Sequence, residues 1–179
     1  MSFRELKYLI ADSTAHAEPA IGVWLWALSD ARRRTLIHLH DLPAPAIDWH
    51  PAENAQSIGS ILYHMALIEA DWLYTEVLEQ GYPDQIAALF PYDPRDQHGL
   101  LTSIHGVSLS EHLVRLDTAR RHILAVYQAM NLHDFRRVRH LADYDVTPEW
   151  VLHHLTQHEA EHRSEIGALR ARAEQMLML

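Results

Sequence analysis

His158 and His162 stand four residues apart in the stretch TPEWVLHHLTQHEAEHRSEIGALRARAEQML, whose apolar residues recur at helical spacing. At about 100° per residue, His158, Val151, Leu169, His162, Leu155 and Ile166 fall within one arc of roughly 80°. The two imidazoles therefore lie one turn apart inside an apolar stripe, and such a pair can ligate one cation. A second stretch, SIGSILYHMALIEADWLYTEVLEQ, places His64 in the same arc as Ile61, Ile68 and Trp72. Three inward imidazoles from two helices are the donor set of a buried three-nitrogen metal site, which bundle cores commonly house. A single inward histidine is more often a hydrogen-bonded core residue. A cluster without metal is expensive, because each buried ring nitrogen needs a partner.

Three histidine nitrogens leave coordination positions open for water or a substrate thiolate, as in catalytic zinc sites. Zinc, nickel and iron all accept imidazole. Glu165 lies near His158 on the wheel of its helix, and Asp71 near His64 on the other. Either can accept a ligand's second N–H or act as a base, unless both are ordinary solvated or interhelical carboxylates. His154 is a further candidate for a supporting role. The chain holds 15 histidines, as many as Lys and Arg together, and histidine is the commonest metal ligand.

His158-Glu159-Ala160-Glu161-His162 also satisfies H-E-x-x-H, in which the glutamate is the base of a zinc peptidase. The extended form of that motif fails: Glu165 replaces its glycine and Ala168 its third histidine. Glu159 falls at the rim of the apolar stripe.

Four amphipathic stretches must position these residues. They run from about Ala20 to Asp41, from Ser57 to Gly81, from Ser108 or Ser110 to Met130, and from Thr147-Pro148 to about Met176. Pro43, Pro45 and Pro51 separate the first two, and a loop-rich segment from Gly81 to Val107 separates the second and third. The expected fold is an all-α four-helix bundle in one domain over residues 1–179. All three connections are long enough to be crossovers, and the first 16 residues are expected to form a short extra helix outside the bundle. Six glycines disfavour an all-β fold.

The formal net charge of -9 argues against nucleic acid as a partner. No apolar run reaches the roughly 20 residues of a membrane span. The start MSFRELKYLIAD lacks a signal-peptide pattern, so a cytoplasmic location is the expectation. There is no cysteine, hence no disulfide and no thiolate from the chain itself.

With these residues placed, the chain resembles the DinB/YfiT-like superfamily of metal-binding four-helix bundles over roughly Ala20 to Leu177. The resemblance rests on PAENAQSIGSILYHMALIEADWL, a Pro-containing entry followed by a helix carrying histidine, and on HEAEHRSEI against the family's H-x-x-x-H-R-G-Q-I. Ser164 replaces its Gly and Glu165 its Gln, which makes the site more acidic. The resemblance implies His64, His158 and His162 as metal ligands. It implies a thiol-dependent S-transferase or isomerase using a low-molecular-weight thiol as co-substrate, and it favours a homodimer. Trp24 and Trp26 point to differing faces of the first helix, so one is available to such an interface. Substrate contacts are expected from the Gly81–Val107 loop through Tyr92, Arg95 and His98. The competing readings are a non-catalytic metal-binding bundle and a metal hydrolase using Glu159.

Overall fold

The structure, a computed structural model, describes residues 10–52 and 55–177. Four long helices dominate: α1 (Pro19–Leu39), α3 (Ile58–Asp71), α5 (Leu109–Gln128) and α7 (Pro148–Leu177). Shorter helices lie between them: α2 (Ala44–Asp48), α4 (Asp84–Ala87) and α6 (Leu132–Arg136). A small antiparallel hairpin of β1 (Arg139–His140) and β2 (Asp145–Val146) leads into α7.

The starts of the long helices are local chemistry. Ser57 caps α3 by accepting the Ser60 N–H at 3.1 Å. Ser108, not Ser110, caps α5, and Glu111 accepts the Ser108 N–H at 2.9 Å to complete a capping box. Thr147 accepts the Trp150 N–H at 3.2 Å, with Pro148 at the first position of α7. Helix α3 is buried on nearly every side, as a helix apolar all round must be. It continues into a π-helical turn, Trp72–Val77, a distortion often found beside functional sites.

Pairings between side chains give the helix directions. Trp24 meets His153 and Arg32 meets Glu159, so α1 and α7 run parallel. His64 meets His158 and Trp72 meets Trp150, so α3 opposes α7. Glu69 meets Arg120 and Tyr74 meets His122, so α3 and α5 run parallel. One of the three connections, that from α3 to α5, therefore has to travel the length of the bundle. It contains the Gly81–Val107 segment. The other two join helices that run antiparallel, so neither has to travel that length.

The short helix expected over the first 16 residues is not found where it can be checked. Positions 1–9 lie outside the described residues, and 10–16 are extended and turn backbone. That segment packs on α1 so closely that a Cβ at Gly22 would come within 2.0 Å of the Ser13 carbonyl oxygen. Trp24 and Trp26 are both half-buried. Among the described residues no helix is long and apolar enough to cross a membrane.

Candidate metal centre

His64 comes from the middle of α3, and His158 and His162 from successive turns of α7. The antiparallel packing of those helices brings the three rings together. His158 Nε2 lies 3.2 Å from His64 Nε2 and 3.1 Å from His162 Nε2. The His64 and His162 rings have centroids 5.1 Å apart. No other group of three or more His, Cys, Asp or Glu residues with this convergence occurs among the described residues.

Three neutral imidazoles facing one another through Nε2 cannot satisfy one another, because each contact needs one donor and one lone pair. The geometry instead fits a shared cation. Ligands about 2.0–2.1 Å from a tetrahedral zinc ion lie about 3.3 Å from each other, close to the two spacings observed. The cluster is thus compatible with a metal-binding site on the evidence of its own nitrogen atoms.

The surroundings favour lone pairs over protons. Burial, then the neighbouring His162 and the Arg95 charge, bring the His64 pKa down to about 4. The Pro94 carbonyl partly counters this without forming a hydrogen bond to the buried Nδ1 of His64, which has no partner. His158 is pushed to about 3, by burial first and then by His162, His64, His154 and Arg95. Both rings are neutral at pH 7, the state a metal requires. His64 is buried, whereas His158 and His162 are half-buried, so the cluster is reached from the α7 side.

Glu165 accepts a hydrogen bond from His162 Nδ1 at 2.7 Å. That bond places the proton on Nδ1 and leaves Nε2 as the lone pair facing the cluster. Glu165 also borders a shallow pocket of about 350 Å³ with Gln56 and Arg172. Asp71 is elsewhere. Its Oδ1 accepts from the Tyr82 hydroxyl at 2.9 Å and the Thr75 hydroxyl at 3.3 Å, and it has no hydrogen bond to an imidazole. His154 joins the site by ring packing, 5.7 Å from the His158 ring.

The loop residues divide. Arg95 sits within electrostatic reach of His64 and His158. Its guanidinium is held by the Gly99 carbonyl at 2.8 Å. Tyr92 is anchored to the neighbour of His64, since the Tyr63 hydroxyl accepts its N–H and donates to its carbonyl. His98 is exposed in the Asp96–Gly99 turn, bonded to the Gln97 side chain.

Glu159 is the largest departure from expectation. It is buried in the core rather than at a rim. Its carboxylate accepts from Arg32 Nε at 2.7 Å and Arg120 Nη2 at 2.6 Å. Glu69 binds the same two arginines, so two acids and two bases form one buried neutral cluster. With both oxygens taken by guanidinium groups, Glu159 is not disposed as the base of an H-E-x-x-H hydrolase. The only signal in the sequence is two arginines and two glutamates within apolar helices, with nothing to show which of them meet.

The sequence profile of the DinB superfamily matches residues 27–166. That span is more than half of the chain and includes all three histidines, so the protein belongs to the DinB superfamily. No individually curated protein matches it.

Replacing Glu165 by Gln keeps the shape but weakens the acceptor that fixes the His162 tautomer. Metal affinity should fall by about 10–100-fold, measured by competition with a chromophoric chelator. An unchanged affinity would show that the His162–Glu165 bond has no part in binding.

Proposed function

We propose that the protein is a metal-dependent enzyme that activates a low-molecular-weight thiol for S-transfer, with His64, His158 and His162 as the ligands. The observation that carries the reading is the convergence of three Nε2 atoms at the spacing of metal ligands. A bound zinc, nickel or iron ion supplies a Lewis acid that holds a thiol as its nucleophilic thiolate. The chain has no cysteine, so the sulfur comes from a co-substrate.

The protein's own groups have distinct tasks. Burial keeps His64 and His158 neutral, and Glu165 orients His162. The positive charge of Arg95, within electrostatic reach of His64 and His158, draws an anionic group of the incoming thiol toward the three rings. Tyr63 fastens the loop that carries Arg95 to the turn of α3 that carries His64. Support for catalysis over a purely structural metal comes from the partial exposure of His158 and His162, since a catalytic site keeps an open position.

Cobalt(II) in place of the native metal tests this reading. Adding glutathione or a comparable small thiol should produce intense near-ultraviolet absorption that saturates at one thiol per protein. Thiol that leaves the cobalt spectrum unchanged, at concentrations well above the protein, would assign the metal a structural role.

A further inference from the structure

Where the β-hairpin leads into α7 lies a pocket of about 650 Å³ that the proposed thiol chemistry does not use. Its walls include Trp72, Tyr144 and Trp150, the aliphatic side chains of Val138 and Val146, and Asp145. The volume is that of a small-molecule site, and apolar surface dominates it. The three aromatic rings form a continuous wall. Trp72 lies between the others, 6.2 Å from Tyr144 and 5.3 Å from Trp150, with tilts of 34° and 38°. Tyr144 and Trp150 are 45% and 47% exposed. One face of Trp150 is stacked on the His154 ring at 5.2 Å, so a ligand has the other face.

No lysine or arginine lines the pocket, whereas Asp145 does. Behind the aromatic wall stand two more acids. Glu76 accepts the Tyr144 hydroxyl bond at 2.8 Å, and its other oxygen is buried with no partner. Asp71 lies five residues before it, and the π-helical turn between them brings such positions to one side. The side-chain partner of Asp145 is His140, whose Nδ1 is 2.8 Å away and whose side chain is 75% exposed. The start of α7 also borders the pocket, but it offers little to an anion. Pro148 has no N–H, Thr147 Oγ1 accepts that of Trp150, and the Thr147 carbonyl accepts that of Val151.

We propose that this pocket binds an organic cation, an amine or quaternary ammonium group on a small apolar body, seated over the faces of Trp72, Tyr144 and Trp150. A cation is attracted by the negative face of an aromatic ring, tryptophan most strongly. The Asp145 carboxylate on the pocket wall adds attraction of the same sign. The site connects to the metal centre through His154, whose ring lies 4.5 Å from that of Trp72 and 5.7 Å from that of His158. Binding itself needs no metal.

The test uses benzyltrimethylammonium, benzyl alcohol as a neutral aromatic and benzenesulfonate as an anion. Binding to the full-length protein is followed by ligand-observed NMR. The cation should bind at least about 10-fold more tightly than the neutral compound, and the sulfonate more weakly than either. Trp150→Leu keeps apolar bulk but removes a π face. It should cost the cation about 10-fold, equivalent to about 1.4 kcal/mol, while the neutral compound changes little. Asp145→Asn should weaken the cation alone, with a smaller effect at high salt.

His158→Ala should leave cation binding intact, so a protein that binds no metal or thiol can still pass, and one that binds both can still fail. Equal affinity for the cation and the neutral compound would reduce the site to an apolar cleft. Preference for the sulfonate would overturn the assignment. So would a protein that is dimeric in light scattering and releases its partner as the cation binds in step with Trp150→Leu, since a second copy would then be the occupant.

Discussion

His158→Ala should lower divalent-metal affinity by more than about 100-fold and abolish stoichiometric binding. His158 Nε2 is the central donor, within 3.2 Å of His64 Nε2 and 3.1 Å of His162 Nε2. Its loss leaves two nitrogens from different helices, with His64 too buried to recruit water readily. Loss of an outer partner such as Glu165 costs about 10–100-fold, so loss of a donor should exceed that range. Titration against a chromophoric chelator measures the affinity, and elemental analysis of untagged protein gives the stoichiometry. The exposed His140→Ala should behave as wild type.

The same substitution has a thermal signature. A metal that binds only the folded protein stabilises it by about 2.7 kcal/mol at 100 times its dissociation constant. Metal should therefore raise the wild-type Tm and leave that of His158→Ala unmoved. Equal Tm increases in the two proteins would place the metal elsewhere among the 15 histidines.

Glu159→Ala should destabilise the fold by about 3–5 kcal/mol, the usual cost of removing one partner from a buried ion pair. Arg120 and Glu159 are 6% and 1% exposed, so neither Arg120 nor the partly buried Arg32 can readily turn to water for compensation. Urea denaturation at pH 7 measures the loss. A cost below about 1 kcal/mol would mean that Glu69 alone balances both guanidinium groups. Replacing all four charges by apolar residues of similar volume should cost much less, since charges brought out of water regain little net energy by pairing.

This cluster also sets a pH dependence. Burial raises the Glu159 pKa, but the Arg32 and Arg120 charges and their hydrogen bonds outweigh it, so the group ends below its ordinary value of 4.5. A depressed carboxylate pKa contributes stability that is complete above the unfolded value. That contribution is lost as pH falls below about 4.5 and through the folded value. Glu159→Ala should thus show a shallower loss of stability with acid than wild type, read from urea midpoints between about pH 7 and 3.

Much of the three-histidine cluster is legible in the order of residues alone, because it depends on a local period. Residues four apart on an α-helix share a face wherever the helix packs. His158 and His162 are therefore tied to each other and to Val151 and Leu155, and His64 is tied to Ile61 and Ile68. Helix starts at Ser57, Ser108 and Thr147 are legible for the same reason, since a cap is closed by atoms two or three residues away.

Tertiary structure decides the rest. Arg32 and Glu159 are 127 positions apart, and Arg120 and Glu69 are 51 apart, so no local pattern pairs them. Glu159 stands at the edge of its stripe, where a few degrees of helix rotation separate solvent from core. Asp71 closes the regular part of α3, and its carboxylate meets Tyr82, brought in from the following loop, instead of a histidine. The parallel course of α3 and α5 is equally hidden, because loop length permits a crossover without requiring one. Local periodicity determines which side chains share a face, whereas only packing among distant segments determines what that face meets.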